Sequence, residues 1–161
     1  MADRMKEALF SALGDLSGLK VLDLYAGSGA LGLEALSRGA VHATFVENAR
    51  DAILKLEQNV KATGFEGVSE ITWADASATL SRPAPERFDL IFLDPPYSMS
   101  LPAVQANLEA IVMGGFLGDD GRVVLHRPMQ ESRMEALGLE LVWKREVGQA
   151  QLYVFTHEEE S

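Results

Sequence analysis

The feature that most constrains the fold of this chain is a glycine-rich loop near its start. Gly27, Gly29 and Gly32 form a G-x-G-x-x-G pattern between an apolar segment at 20–25 and a helix-spaced segment at 30–38. Glycines in such a strand–loop–helix unit let a bound nucleotide approach the backbone closely. A tight structural turn is the alternative interpretation, but the pattern favours a cofactor-binding α/β domain.

Strand-like and helical segments alternate along most of the chain. Apolar spacing predicts a first helix over 3–13 with Asp3 as its N-cap, and Asn48 is the predicted N-cap of a long helix that ends at 63–64. Such alternation implies a mostly parallel sheet with helices on both faces and ligands at the carboxyl ends of the strands. The other predicted strands are residues 42–47, 71–73, 88–93, 122–126, 139–147 and 149–156, the last two forming an antiparallel hairpin, and the other predicted helices are residues 102–113 and 130–137.

Composition narrows the class of protein. The 161 residues include 14 Lys and Arg against 24 Asp and Glu, for a net charge of −10, and the length predicts a single domain over 1–161. The absence of cysteine excludes disulfides, thiol catalysis and Cys-ligated metals. No signal peptide or apolar stretch of about 18 residues is present, so we expect a cytoplasmic protein. The acidic balance argues against nonspecific coating of nucleic acid.

Two acidic residues bear on the identity of the cofactor. Glu47 follows Gly27 by twenty positions, a spacing suited to binding ribose hydroxyls in both NAD and S-adenosylmethionine (AdoMet) sites. Asp23 lies inside the first strand, and residues 23–29 resemble the first motif of class I AdoMet methyltransferases. A buried carboxylate needs a partner, and the cationic ammonium of AdoMet supplies one. Capping of nearby loop amides is the alternative for Asp23.

A third acidic residue, Asp75, follows the third predicted strand. In the class I methyltransferases this position contacts the adenine amino group, although an Asp after a strand is often only a helix cap. The predicted AdoMet-binding residues are Asp23, Tyr25, Ala26, Gly27, Ser28, Gly29, Glu47, Asn48, Asp75 and Ala76.

The most specific local pattern is Asp94-Pro95-Pro96-Tyr97, directly after the fourth strand. It resembles the (Asp/Asn)-Pro-Pro-(Tyr/Phe) motif of methyltransferases that act on planar amino nitrogens. The lone pair of such a nitrogen is delocalised, and Asp94 and the Pro95 carbonyl can each accept one N–H and orient it. The prolines stiffen the turn, and Tyr97 offers an aromatic face for an unstacked base. These four residues are the predicted catalytic set, with a Pro-rich structural turn as the alternative.

The histidines give no second site. His42, His126 and His157 are scattered, and we expect them to be surface or strand residues rather than catalysts or ligands. No pair has the H-x-x-x-H spacing of a helical metal site, so no metal is predicted.

With these motifs in view, the chain resembles the RsmD family of 16S rRNA guanine-N2 methyltransferases over nearly its whole length. The similarity covers residues 3–10, 23–38, 46–48 and 94–97. It implies a seven-stranded class I fold, AdoMet as methyl donor and a guanine in small-subunit rRNA as acceptor. It further implies 16S rRNA within an assembled or assembling 30S particle as partner, with residues 94–97 holding the guanine. We expect a monomer.

Two departures from the family bear on how RNA is bound. Members usually carry a basic arm before the opening helix, here residues 1–14, and this sequence begins almost at that helix. The net charge is also acidic, although basic residues gather late in the chain as candidates for RNA contact, namely Arg122, Arg127, Arg133, Lys144 and Arg145. Three other functions remain open: methylation of adenine N6 or a protein glutamine amide, a noncatalytic nucleotide- or AdoMet-binding module, and an NAD oxidoreductase.

Overall fold

A computed structural model describes residues 1–129, 136 and 138–159 of the chain. Seven strands form one sheet in the order β3-β2-β1-β4-β5-β7-β6. The strands are β1 Lys20–Leu24, β2 His42–Glu47, β3 Ser69–Trp73, β4 Phe88–Leu93, β5 Leu117–Pro128, β6 Leu139–Val147 and β7 Ala150–His157. The helices are α1 Asp3–Leu13, α2 Ala30–Ser37, α3 Arg50–Thr63, α4 Ala76–Leu80 and α5 Leu101–Met113, with a 3₁₀ turn at Glu66–Val68.

The sheet is mixed, as predicted. Strands β1 to β5 pair in parallel, whereas β7 pairs antiparallel with both β5 and β6. Because parallel strands share a direction, the carboxyl ends of β1, β2, β3, β4 and β5 meet at one edge of the sheet. The predicted seven-stranded, mostly parallel sheet with its C-terminal antiparallel hairpin is confirmed.

Two hydrophobic clusters cover the two faces of the sheet. On one face, Leu9 of α1 and Leu56 of α3 join Phe45, Phe92 and Val124 of the strands. On the other face, residues of α4 and α5 pack against alternate strand positions, among them Leu80, Val104, Leu108, Ile91, Leu93 and Val123. Because side chains alternate between the faces of a strand, Ile91 and Phe92 enter different clusters. The sheet is therefore buried on both sides and forms a rigid base for the loops at its carboxyl edge.

Several predicted boundaries are wrong. Asn48 and Asp3 are not N-caps: Ala49 and Ala2 occupy those positions, and neither makes a side-chain cap hydrogen bond. The Glu47 carboxylate instead accepts the amide of Ala49.

Other differences concern lengths. β5 begins at Leu117 rather than at 122. Its pairing with β4 has an irregularity between Phe88 and Leu90, so β4 pairs with β5 both before and after the exposed residues Asp119 and Asp120. The helix α4 was not predicted. Of the predicted helix at 130–137, only residue 136 is described. Within the described part of the chain, no helix is long and apolar enough to cross a membrane.

Candidate active site at the carboxyl edge of the sheet

A cavity of about 200 Å³ opens where the loops after β1 and β4 meet. Strand register produces this meeting: Leu24 pairs with Leu93, so the chain leaves both strands at the same level. The cavity is lined by Met1, Lys6, Asp23, Tyr25, Ala26, Gly27, Ser28, Ala30, Leu31 and Asp94. The tertiary structure thus brings the predicted cofactor loop and the predicted catalytic Asp94 to one cavity.

The glycine loop has the conformation that its sequence indicates. Gly27 and Gly29 adopt positive φ angles of 58° and 86°, which are strained for residues with a Cβ. A Cβ on Gly32 would collide with the Phe45 ring and lie 3.0 Å from Oδ2 of Asp23. The first two glycines therefore serve the turn, and the third lets α2 pack closely on the sheet.

Tyr25 also has a positive φ, of 58°, which is unusual for a bulky residue. Its hydroxyl donates to Oδ1 of Asn107 at 2.7 Å and lies 3.3 Å from Oγ of Ser77. Burial raises the pKa of this phenol. These contacts fix the Tyr25 side chain to α4 and α5, on the face of the sheet opposite α1 and α3. They hold the strained turn in place.

Asp23 is the deepest charged group of the cavity. It is 1% exposed, and its Oδ2 accepts the Gly32 amide at 3.0 Å. Burial raises the pKa of this carboxyl well above its usual value; the Gly32 amide opposes the rise, while the negative charges of Asp94 and Glu47 add to it. One amide compensates such a group only in part, so the site fits a ligand that brings a cationic group to Asp23.

Glu47 joins the end of β2 to the glycine loop. Its Oε1 accepts the Gly27 amide at 2.8 Å, and its Oε2 accepts the amides of Asn48 at 3.0 Å and Ala49 at 2.8 Å. The Asn48 carbonyl in turn accepts Nε1–H of Trp73 at 2.9 Å. This places the predicted ribose-binding acid beside the glycine loop.

Asp75 takes the helix-cap role that the sequence left open. It is the N-cap of α4, and its Oδ2 accepts the Ala78 amide at 2.9 Å. Ala76 is 3% exposed and packs in the core. Neither residue lines the cavity described above.

The motif residues 94–97 leave β4 next to β5. Oδ1 of Asp94 lies 2.9 Å from Nδ1 of His126, a residue that is 8% exposed. Tyr97 is 51% exposed, and its hydroxyl lies 3.4 Å from Nε2 of the same histidine. The Pro96 carbonyl accepts the Met99 amide at 2.9 Å, which closes the turn after the two prolines.

Sequence reasoning missed two residues of this site, His126 and Arg127. His126 was expected to be a surface or strand residue rather than a catalyst or ligand; it does lie in β5, and there it contacts Asp94. Leu93, the last residue of β4, pairs with Leu125 of β5. The residues that follow them, Asp94 and His126, therefore meet at the carboxyl edge of the sheet. No sequence signal identifies them as neighbours, since thirty-two positions separate them.

Arg127 was one of several basic residues named as candidates for RNA contact, but the structure buries it. It is 1% exposed, and its guanidinium donates to the carbonyls of Pro96 at 3.1 Å and Met99 at 2.8 Å. The guanidinium fork therefore holds the loop that carries the predicted catalytic motif.

Arg127→Met is expected to lower the free energy of unfolding by about 3 kcal/mol, because two loop carbonyls lose charged donors. It should also reduce turnover by about tenfold or more, since small displacements of acceptor groups weaken catalysis strongly. Chemical denaturation and steady-state kinetics measure the two effects. Arg122→Met is the matched control, because Arg122 lies on the same strand and donates to the Leu13 carbonyl at 2.8 Å, away from the motif. Equal loss of turnover in both variants would contradict the loop role.

The other basic candidates do not gather at the cavity. Arg122 contacts the end of α1, and Lys144 pairs with Glu146 at 3.3 Å and lies 5.5 Å from the Tyr153 ring centroid. Arg145 is an exposed residue of β6, and Arg133 lies outside the described residues. Lys6 of α1 is the basic residue that the structure places on the cavity wall.

A seven-stranded sheet in this order, with a glycine loop after β1 and an acid at the end of β2, defines the fold of class I AdoMet-dependent methyltransferases. The family model described as Conserved hypothetical protein 95 matches residues 1–156. The chain belongs to this family, and the RsmD-family membership predicted from the sequence is confirmed.

Relatives and solved structures support the same assignment. YlbH of Bacillus subtilis is 35% identical over 139 residues, which are 84% of this chain and 74% of that protein. Ribosomal RNA small subunit methyltransferase D of Escherichia coli K12 is 32% identical over 80% of this chain, which spans 63% of that relative. The structure of the Escherichia coli protein yhhF superposes with a TM-score of 0.89 at 28% identity and covers 99% of this chain and 89% of its own. A conserved hypothetical protein of Streptococcus pyogenes has a TM-score of 0.87 at 31% identity over 95% of both chains.

Proposed function

We propose that this protein is an AdoMet-dependent methyltransferase that modifies the exocyclic N2 of a guanine in 16S rRNA. The observation that carries the proposal is the position of Asp94. It borders the same cavity as Asp23 and the glycine loop, and it begins a Pro-Pro-Tyr turn held by Arg127. A site suited to the planar amino group that receives the methyl group therefore lies directly beside a site for a cationic, nucleoside-containing ligand.

The cavity residues fit AdoMet. Asp23 would receive the ammonium group, and Lys6, which lines the same cavity, would receive the carboxylate of the same amino-acid end. Gly27, Ser28 and their neighbours would pack against it, and Glu47 with Asn48 would bind the ribose. Asp75 and Ala76 remain the proposed adenine contacts. When bound, AdoMet supplies an activated methyl group on its sulfonium sulfur.

The motif residues would prepare the acceptor nitrogen. Asp94 accepts one N–H of the guanine amine and the Pro95 carbonyl accepts the other, because the Pro96 carbonyl is already engaged by Met99 and Arg127. These two bonds favour a pyramidal nitrogen whose lone pair is free to attack. In exchange for the methyl group that AdoMet would supply, the acceptor nitrogen must lose one proton. Asp94 would take that proton and later release it to water.

The exposed ring of Tyr97 fits a base that has left its stack. The relatives' names support rRNA as the substrate, since the Escherichia coli relative is a small-subunit rRNA methyltransferase. We propose that the substrate is 16S rRNA within a 30S subunit or an assembly intermediate, and that the protein acts as a monomer in the cytoplasm. The net charge of −10 suits a protein that recognises an assembled particle better than one that coats free RNA.

Methylation of adenine N6 is the second candidate, favoured by one relative. The tRNA1(Val) (adenine(37)-N6)-methyltransferase of Shewanella halifaxensis is 37% identical over 82 residues, which are 51% of this chain and 33% of that protein. An adenine amine presents the same pair of N–H donors to Asp94 and Pro95, so the described site alone admits both bases.

Methyl transfer from radiolabelled AdoMet tests the proposal. The substrates are unmodified 30S particles, naked 16S rRNA and DNA, followed by mass spectrometry of the released nucleosides. We expect N2-methylguanosine in the 30S particles. N6-methyladenosine would replace the proposed acceptor with the second candidate, and no methylated nucleoside in any substrate would overturn both. Binding of NAD⁺ without AdoMet by calorimetry would overturn the cofactor assignment.

A further inference from the structure

The two oxygens of Asp94 have different surroundings. Oδ1 lies 2.9 Å from Nδ1 of His126, whereas Oδ2 accepts no hydrogen bond from any described residue. The His126 ring is 8% exposed, and its other nitrogen faces the Tyr97 hydroxyl at 3.4 Å. The rings of Tyr97 and His126 also contact each other, with centroids 5.8 Å apart. His126 is therefore held from both sides, with one nitrogen directed at the catalytic carboxylate.

The contact with Asp94 requires a proton on Nδ1 of His126. Nδ1–H donating to Oδ1 leaves Nε2 as an acceptor for the Tyr97 hydroxyl, so both contacts are hydrogen bonds. The opposite tautomer would set the Nδ1 lone pair against a carboxylate oxygen, which is repulsive. Among the described residues, the other charged groups near this pair are Arg127, which holds the motif loop, and Lys6 and Asp23, which line the same cavity as Asp94. The neighbour of His126 on β7 is the apolar Leu152.

We propose that His126 is a positioning residue for methyl transfer. Its Nδ1–H occupies Oδ1 of Asp94 and fixes the carboxylate rotamer, so that Oδ2 alone is presented to the acceptor amine. This inference rests on the proposed function for the identity of the acceptor, but the hydrogen bond itself does not. It adds a residue of β5 to the candidate site.

Two substitutions separate this role from mere packing. His126→Asn keeps an N–H donor at about the position of Nδ1, whereas His126→Gln places its amide at about the position of Nε2. We expect the Asn variant to retain most turnover on 30S particles and the Gln variant to lose about 10- to 100-fold, because the misplaced carboxylate no longer meets the amine correctly. AdoMet affinity, measured by calorimetry, should be unchanged in both. Equal turnover of the two variants, or greater activity of the Gln variant, would overturn the proposal.

Nitrogen NMR of the imidazole tests the contact without any substrate. The wild-type protein is expected to show His126 as the Nδ1–H tautomer, assigned by the loss of its signals in His126→Asn. In Asp94→Asn the preference for that tautomer should weaken, because the charged acceptor is gone. An Nε2–H tautomer in the wild type, or a folded Asp94→Asn protein whose His126 signals match those of the wild type, would overturn the proposal. Absence of methyl transfer by the wild type would overturn the proposed function instead and would leave the NMR result to decide the role of His126.

Discussion

Asp94→Ala is expected to reduce methyl transfer by about 100- to 10,000-fold, the range for loss of a proton acceptor or a charge-stabilising group in an active site. Asp94 is the carboxylate through which the acceptor amine would be oriented and deprotonated, and its Oδ2 has no other described partner. The affinity for AdoMet should change little, because Asp23 and the glycine loop are untouched. Single-turnover kinetics on 30S particles and calorimetry with AdoMet measure the two quantities separately.

Asp120→Ala provides the matched control. Asp120 is an exposed Asp on β5, before the part of that strand that carries His126 at the catalytic edge. Its removal changes the net charge by the same amount as Asp94→Ala, and turnover should stay at the wild-type level. Wild-type turnover in Asp94→Ala itself would reject the catalytic assignment, and a parallel loss of AdoMet affinity would assign Asp94 to cofactor binding.

Asp23→Asn is expected to weaken AdoMet binding by about 10- to 100-fold, which is the loss of one charge-assisted hydrogen bond to the ammonium group. Asp89→Asn is a close control. Asp89 also accepts one backbone amide, that of Lys20 at 2.9 Å, but it lies at the opposite end of β1 and β4. The control variant should bind AdoMet like the wild type. Equal affinities of wild type and Asp23→Asn would mean that Asp23 serves only to hold Gly32.

In the absence of AdoMet, Asp23→Asn is expected to raise the free energy of unfolding, although it weakens AdoMet binding. Burial raises the pKa of Asp23 above its unfolded value of 3.8, so the folded state binds more protons than the unfolded state at pH values between the two. Stability from this group is therefore present below about pH 3.8 and is lost as the pH rises through the folded-state pKa. Asn has no charge to desolvate and can still accept the Gly32 amide.

Urea unfolding between pH 4 and pH 8 measures this effect. The free energy of unfolding of Asp23→Asn, relative to the wild type, is expected to increase with pH in the absence of AdoMet. Saturating AdoMet should reverse the order, because the ligand then stabilises the wild type more. A difference between the two proteins that does not vary with pH would contradict the desolvated state of Asp23.

Much of the fold follows from local patterns. The apolar 88–93 segment and the strand ending at Asp23 and Leu24 are short buried runs bounded by proline and glycine, and they form central strands of the parallel sheet. Helix boundaries were less predictable. Asn48 is a good cap by residue type, yet the helix begins later because the Glu47 carboxylate already binds the amides there. A competing side chain that is adjacent in sequence was enough to move the boundary.

In the candidate site, too, some residues could be predicted from local sequence and others depend on the pairing of strands. Asp23, Gly27, Gly29 and Asp94 could be proposed as site residues because each lies in a strand or in the loop directly after one, where residue type and spacing are local properties. Structure places Asp23 and Asp94 on one cavity because β1 and β4 are neighbours in the sheet. The residues that hold Asp94 and its loop come from β5, the other neighbour of β4 in the sheet.

The sequence by itself therefore determined the class of fold and the glycine loop and indicated the candidate catalytic motif, since these depend on periodicity and on the conformations that glycine and proline allow. Only the tertiary structure decided that His126 contacts Asp94 and that Arg127 holds the loop rather than facing RNA. The physical reason is the pairing of β4 with β5. Register fixes long-range contacts through hydrogen bonds and packing along the whole strand, and no short segment of sequence contains that information.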